Sequence, residues 1–378
     1  MRRAYLDHAS TSPLRPTAFE AMLPFLRDHY ADPGRLHAEG RATRVALEDA
    51  RERVAALLGA RPREVVFTAS GTEAVNTAVW GAVARADGSA HIVTTAVEHS
   101  AVLDACERSS ADVTIVAVDR QGRYDPAEVL DAIRPETALV SVQVANHEVG
   151  TIQPAGEAAE ACRERGALVH LDACMAVGHA PVDFGALGAD LCSVSAHKFG
   201  GPKGAGALLV RRGLRLPPFV VGGAQERARR GGLEDVPAMV GFGAAAAELA
   251  SGDRLATEGR AQRDLTDRVA REVPARVGGV ARCGDPVDRV PHLVCLGVEG
   301  VEAEPILLGL DQHGVAVHSG SACSSEALEP SPILAAMGVD ADHSLRVSVG
   351  WSSVPEDVDA FLDAFPAVVN RLRALRAG

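Results

Sequence analysis

Between about residues 64 and 211, short runs rich in β-branched residues alternate with stretches of helical periodicity, and this alternation restricts the fold more than any other feature of the chain. The runs "EVVFTA", "HIVTTAV", "DVTIVAV", "TALVSVQVA", "ALVHLDA", "ADLCSVSA" and "AGALLVRR" are separated by patterns such as "TEAVNTAVWGAVARA", "SAVLDACERSS", "PAEVLDAIR" and "EAAEACRERG". A strand followed by a helix and then another strand brings the chain back to run in the same direction, so the pattern predicts an α/β fold. Seven strands form one mostly parallel sheet with helices on its faces. After a Gly- and Arg-rich segment at 222–232 and a helical stretch to about 275, a second set appears: "HLVCLGV", "EPILLGLDQHG", "VAVHSG", "SLRVSVG" and "PEDVDAFLDAFPAVVNRLRAL". It predicts a smaller α+β domain. A chain of 378 residues exceeds what one core usually fills. The expected division is a large domain at 15–250 and a small one made of 1–14 with 251–378.

Net charge and cysteine usage narrow the function class. A charge of −12 opposes bulk binding to nucleic acid or anionic membranes, although the small basic cluster "QERARR" can act locally. "MRRAYLDHAS" has the basic start of a signal peptide without an apolar stretch behind it, and nowhere do 18 apolar residues run together. A cytoplasmic protein is expected. Seven cysteines at irregular spacing, with no C-x-x-C, fit neither a disulfide framework nor a zinc site, so no metal is expected.

In an open α/β sheet the ligand sits beyond the carboxyl ends of the strands. The polar residues there are Ser70, Gly71 and Thr72; Glu98 and His99; Asn146 and His147; Asp172; and Ser195, His197 and Lys198. "TASGTEAVN" turns a strand into a helix, which aims backbone N–H groups at the crevice and makes an anion site, though such a turn serves equally well as a plain N-cap. Asp172 ends an apolar strand, where a carboxylate needs a partner; in isolation a solvated turn residue is an equal reading.

The chain has only two lysines, Lys198 and Lys203, both in "SAHKFGGPKG"; the other 36 of its 38 basic residues are arginine. Guanidinium keeps its proton in a protein, whereas an amine can lose it and attack a carbonyl. Lys198 directly follows a strand beside Ser195 and His197, and Lys203 lies in a glycine-rich turn, so Lys198 is the better nucleophile. A lysine, a phosphate cradle and a buried aspartate are together what pyridoxal 5'-phosphate requires: an aldehyde partner, an anion site, and a carboxylate for the ring nitrogen.

The motifs "YLDHASTSP", "VFTASGTEAVN", "VEHSAVLD", "NHEVGTIQP", "HLDACMAVG", "SAHKFGGPKGAGAL" and "HSGSACSSEALEPS" resemble, in order and spacing across nearly the whole chain, the cysteine desulfurases of the NifS/IscS group. The resemblance implies a fold-type I, class V aminotransferase-like homodimer. Such enzymes use pyridoxal 5'-phosphate to convert L-cysteine to L-alanine, leave the sulfur as a persulfide on an enzyme cysteine, and pass it to an acceptor protein. Carried over by position, it makes Lys198 the Schiff-base lysine, Asp172 the partner of the ring nitrogen and His99 the stacked ring and acid/base. Gly71, Thr72, Ser195 and His197 would bind the phosphate, with His147 beside the cofactor. Asn146 and Arg346 would hold the substrate, a bidentate carboxylate suiting Arg. Cys323 would accept sulfur; it is the one cysteine set among Gly and Ser.

Three positions depart from the family pattern. His147 replaces the second asparagine of Asn-Asn-Glu, Met175 stands in place of a glutamine that donates to the cofactor's phenolic oxygen, and Leu233 stands where a threonine reaches the partner subunit's phosphate. A thioether cannot donate. Another C–S or C–Se lyase of the selenocysteine lyase type is the alternative, and a non-catalytic sulfur-carrier or scaffold subunit a further one. Cys323 weighs against the first, and retention of Lys198, Asp172, His99 and Arg346 against the second.

Overall fold

The structure is a computed structural model that describes residues 3–86, 88–319 and 330–377. Its strands are β1 (Ala4–Tyr5), β2 (Val65–Thr68), β3 (His91–Thr95), β4 (Asp112–Val116), β5 (Thr137–Gln143), β6 (Leu168–Asp172), β7 (Leu191–Ser195), β8 (Gly206–Val210), β9 (Val280–Cys283), β10 (Leu293–Val298), β11 (Val315–Ala316), β12 (His318–Ser319) and β13 (Ser344–Ser348). All seven runs expected between 64 and 211 are strands of one sheet, in the order β2-β8-β7-β6-β5-β3-β4. Only β8 runs antiparallel to its neighbours. The cause is the link from β7 to β8, residues 196–205. It holds a single 3₁₀ turn, Ala196–Lys198, and is too short for a helical crossover, so β8 must return beside β7.

Side-chain alternation sends the two faces of this sheet into two apolar layers. Val65, Phe67, Val93 and Leu209 pack into a core with the helices Ala38–Leu57 and Val236–Ala250. Val66, Ile92 and Leu208 pack into another with the helix Gly71–Arg85. The first two helices cross closely because Gly243 lies on Ala50: a Cβ at Gly243 would sit 2.6 Å from the Ala50 Cα.

The C-terminal part has its own core. Strands β12, β13, β10 and β9 form an antiparallel sheet in that order, covered by the helices Arg254–Arg276 and Pro355–Ala377 through Val269, Leu296, Phe361 and Phe365. The strand β9 was not among the runs read from sequence: "VARC" buries only its two ends. The N-terminus belongs here too. β1 pairs in parallel with β11, and Ala4 and Leu6 pack in this C-terminal core, whereas Ala9 packs with Val65 and Phe67 in the core of the large sheet. Residues 7 and 8 therefore cross from one core to the other.

The strand β2 forms one edge of the large sheet, and an ion pair occupies its outward backbone groups. The Arg51 guanidinium donates to the Val65 carbonyl (3.0 Å) and to both Glu226 oxygens (2.6 Å each), and Glu226 Oε2 accepts from the Phe67 amide at 2.9 Å. Both side chains are buried, and the guanidinium lies over the Phe67 ring. The pair satisfies the edge as a neighbouring strand would. It also holds a strained turn. Glu226, Arg227 and Ala228 have φ of 47°, 59° and 60°, left-handed conformations that cost non-glycine residues ~1–3 kcal/mol each.

In the middle of the sheet, His170 on β6 hydrogen-bonds Ser141 on β5 (2.8 Å) and Ser193 on β7 (2.7 Å). Burial lowers its pKa to about 4.

Two stability predictions follow from these buried groups. Arg51→Met leaves the Glu226 carboxylate buried without its cation and should cost ~3–5 kcal/mol in urea unfolding. A loss below ~1 kcal/mol, the scale of a surface pair, would refute the edge clamp. For His170 the folded-state pKa lies below the unfolded value near 6.5, so its contribution is present above that value and is lost as pH falls towards 4. His170→Gln should make the fall in stability between pH 6.5 and 4 shallower by ~1.4 kcal/mol per pH unit. An unchanged slope would mean that His170 takes up its proton in the folded protein.

Candidate active site

The carboxyl ends of β2, β3, β5, β6 and β7 open onto one cavity of about 230 Å³. Its walls carry Ser70, Gly71, Thr72, His99, His147, Asp172, Ser195, His197 and Lys198, together with Gln143, Cys174 and Met175. Nine residues expected at strand ends thus share one pocket. Glu98 and Asn146, from the same strand ends, do not line it.

One end is built from backbone. Ser70 caps the helix Gly71–Arg85, its hydroxyl accepting from the Glu73 amide at 3.0 Å, so the first amides of the helix face the cavity. Glycine is required on both sides of this turn. A Cβ on Gly71 would lie 2.6 Å from the Cys174 sulfur, and one on Gly206, at the start of β8, would lie 2.5 Å from the Ser70 carbonyl carbon. Ser195 closes the same end, 3.2 Å from that Gly71 Cβ position. These donors fit a phosphate.

Lys198 leaves the 3₁₀ turn after β7, and its Nζ donates to the carbonyls of Ala9 (2.7 Å) and Ser10 (3.1 Å). Its own carbonyl accepts from the Ser12 hydroxyl (3.1 Å) and from His179 Nε2 (3.1 Å). His197 Nδ1 meets the Thr11 hydroxyl at 3.2 Å, and the Ser12 amide donates to the His197 carbonyl at 2.9 Å. The segment 9–12 thus wraps the lysine turn. Lys203 is exposed, away from the cavity wall.

His99 begins the helix Ser100–Glu107, and its Nδ1 accepts from the Ala101 amide at 3.0 Å. That bond fixes the tautomer: the neutral ring carries its proton on Nε2. Burial lowers the pKa of His99. The His147 ring lies 5.0 Å from it, tilted by 56°. Burial first, then His99, Arg346 and Lys198, push the His147 pKa well below the usual value, so it is neutral at pH 7.

Asp172 ends β6, and its Oδ1 accepts from the Cys174 amide at 3.0 Å. Burial and the Asp172 charge push the Cys174 thiol well up, so it stays protonated. Met175 faces the cavity, and its sulfur lies 3.2 Å from His292 Nε2. His292 stacks on His179 with ring centres 3.5 Å apart.

Two expected substrate contacts sit behind the wall. The Asn146 amide donates to the Val97 carbonyl (3.1 Å), and its oxygen accepts from the Glu148 and Val149 amides (2.9 Å each), so its side chain shapes the turn before His147. Arg346 on β13 is buried. It donates to the His147 carbonyl (2.9 Å), to Asp7 (3.1 Å) and to the Ser10 hydroxyl (2.7 Å), and among the described residues its buried Nε has no hydrogen-bond partner. Cys323 lies outside the described residues.

Sequence reading missed several parts of this site. Asp7, Ala9 and Ser10 hold the two cationic side chains and Ser12 holds the Lys198 carbonyl, and "YLDHASTSP" was the signal, a polar run at the start of the chain. Of two buried glutamates, Glu98 was read at its strand end and Glu148 was missed. Burial raises Glu98 to about 8 and Glu148 to about 7; the Ser331 hydroxyl donates to Glu148 at 2.5 Å.

Residues 4–361 match the family described as Aminotransferase class-V. The chain is 42% identical over 383 residues to the protein named cysteine desulfurase IscS of Dictyoglomus turgidum, covering 99% of this chain and 96% of that one. It is 40% identical over 379 residues to the cysteine desulfurase IscS of Methanosarcina thermophila, covering 98% and 93%. Among solved structures, a NifS-like protein superposes with a TM-score of 0.90 at 30% identity, covering 98% of this chain and all of the other. With likeness of this extent in sequence and in fold, the chain belongs to the class V aminotransferase family, among its cysteine desulfurases.

Proposed function

We propose that this cysteine desulfurase holds pyridoxal 5'-phosphate in the cavity described above and takes sulfur from L-cysteine there. One observation carries the assignment. Lys198, Asp172, His99 and the amide end of the helix Gly71–Arg85 face a single cavity sized for one small ring-bearing ligand. When bound, the cofactor supplies an aldehyde that joins to an amine and a ring that stores the electrons of a substrate carbanion.

The chain's own groups then have distinct tasks. Gly71, Thr72, Ser195 and His197 would bind the phosphate, and Asp172 would hold a proton on the ring nitrogen. His99, on the cavity wall, would stack on the ring. Lys198 would supply the amine for the aldehyde, and its Nζ, steadied by the Ala9 and Ser10 carbonyls, would carry the substrate's Cα proton. Arg346 takes the substrate carboxylate by exchanging Asp7 and Ser10 for it, and its Nε, without a partner among the described residues, is a further donor. Asn146 acts through the turn that presents His147. The Cys323 thiolate attacks the substrate sulfur; the S–S bond forms as the Cβ–S bond breaks, and its electron pair, protonated at carbon, gives alanine and a Cys323 persulfide. An acceptor protein then collects that sulfur.

The same reading takes 15–250 as the large domain, 1–14 with 251–378 as the small one, a cytoplasmic setting, and a homodimer. Among the described residues no helix is long and apolar enough to cross a membrane. Support for pairing comes from exposed Trp80 and Phe219, whose rings meet 5.7 Å apart beside a groove that shares Thr72 and Ala101 with the cavity.

Met175 is engaged with His292 and cannot donate to the cofactor's phenolic oxygen, so we assign that hydrogen bond to His147, which lines the same cavity.

Mass mapping after borohydride reduction should find the cofactor bonded to Lys198. Lys198→Ala should lose this adduct and reduce alanine formation by at least about a thousandfold, the scale of losing a covalent catalyst and proton carrier. Lys203→Ala should keep both. An adduct surviving in Lys198→Ala would overturn the assignment.

For His147, loss of a donor to an anionic oxygen costs ~1.5–3 kcal/mol, roughly one to two pKa units. The pH midpoint of the bound cofactor's visible band should rise by that amount in His147→Ala and by less in His147→Asn. If both variants titrate like the parent, His147 is not the donor.

A further inference from the structure

The basic segment "QERARR" is left without a role by the reaction above. Its turn is strained, with three consecutive non-glycine residues at left-handed φ, and it is pinned to the sheet edge by the buried Arg51–Glu226 pair. Strain that the surroundings hold in place marks a segment whose exact course matters. The residue two positions beyond the turn shows what the course delivers. Arg230 reaches Glu73 in a two-point ion pair, Nε to Oε1 at 2.9 Å and Nη2 to Oε2 at 3.1 Å, and both side chains are mostly buried.

Glu73 has an unusual location. It lies in the first turn of the helix Gly71–Arg85, its amide bonds the Ser70 cap, and its Oε2 accepts from the Ala69 amide at 2.9 Å. The carboxylate therefore braces the anion-binding turn from behind. A carboxylate suits the positive end of a helix, but the same end is where the phosphate must bind, and two anions at one helix terminus repel. Glu73 thus shapes the turn at the risk of weakening it electrostatically.

We propose that Arg230 is a positioning and charge-compensating residue for the phosphate site. The strained turn, held by Glu226 and Arg51, carries Arg230 to Glu73, so that Glu73 can brace the turn without repelling the incoming anion. The inference rests on the reading that this turn binds the cofactor's phosphate.

The test titrates the full-length, cofactor-free chain with pyridoxal 5'-phosphate and with pyridoxal, which lacks the phosphate, and reads dissociation constants from visible absorbance. Arg230→Gln should weaken pyridoxal 5'-phosphate about tenfold, the order of one partly screened charge interaction, and leave pyridoxal unchanged. Glu73→Gln keeps an acceptor for the Ala69 amide, so the double variant Glu73→Gln/Arg230→Gln should return to within about threefold of the parent, the scatter of near-neutral changes. Circular dichroism and urea midpoints verify that each variant folds. A double variant as weak as Arg230→Gln would overturn the proposal, since Arg230 would then touch the phosphate itself or act only as a structural strut. Equal weakening of pyridoxal would overturn it as well. If the parent binds both compounds equally, the phosphate reading of the turn fails and the inference falls with it; if the parent prefers the phosphate and Arg230→Gln does not weaken it, only the inference fails.

Discussion

The pocket depends on a short stretch of backbone that belongs to neither core. Leu6 packs with the C-terminal sheet and Ala9 with the large one, and between and just after them the chain meets both cationic side chains of the site. The carbonyls of Ala9 and Ser10 take the Lys198 ammonium, and Asp7 and the Ser10 hydroxyl take the Arg346 guanidinium. Lys198 comes from the large sheet and Arg346 from β13 of the small one, so this stretch sets their separation. Any shift between the two cores would be felt as a change in the distance between amine and guanidinium. Tyr5, whose hydroxyl donates to the Asp7 (3.1 Å) and Thr11 (2.8 Å) carbonyls, stiffens the crossing.

Around this clasp, burial decides which groups carry charge. His8, His179 and His197 are each lowered to about 4, chiefly by desolvation, so none adds a positive charge beside Lys198 at neutral pH. Glu98 moves the other way, to about 8, and stays protonated at pH 7, chiefly because it is buried. Neutral neighbours leave Asp172 and Lys198 as the charged pocket-lining groups with the strongest claim on a ligand. A site that stabilises a developing carbanion gains from this arrangement, because fixed charges in a dry cavity act over a lower dielectric than in water.

The large sheet was readable because its strands, the edge strand β4 excepted, are buried on both faces, and most are separated by helices, a pattern that survives in a single sequence. The strand β9 was not, since only Val280 and Cys283 of its four residues are buried. The strand β1 is two residues long and gains its place by pairing with β11, some 310 positions away. Strand-end residues mapped onto the cavity for the same reason that the strands were legible: parallel topology puts their carboxyl ends on one rim. Side-chain direction was not legible. Asn146 and His147 are adjacent, yet Asn146 turns inward to bond Val97, Glu148 and Val149 while His147 faces the cavity. Likewise, nothing local to Arg346 announces Asp7, which lies at the other end of the chain.

The departures at Met175 and His147 become intelligible together. A thioether in the wall removes a donor, and the hydrogen-bonding capacity nearby is redistributed. His292 Nε2 sits 3.2 Å from the Met175 sulfur, a weak acceptor, and its buried Nδ1 has no partner among the described residues. A ring in that state is held by packing rather than by hydrogen bonding, and its stacking on His179 at 3.5 Å supplies the packing. His179 in turn must donate from Nε2 to the Lys198 carbonyl, because a carbonyl can only accept. The wall behind the lysine thus carries neutral imidazoles, of which His179 supports the Lys198 backbone.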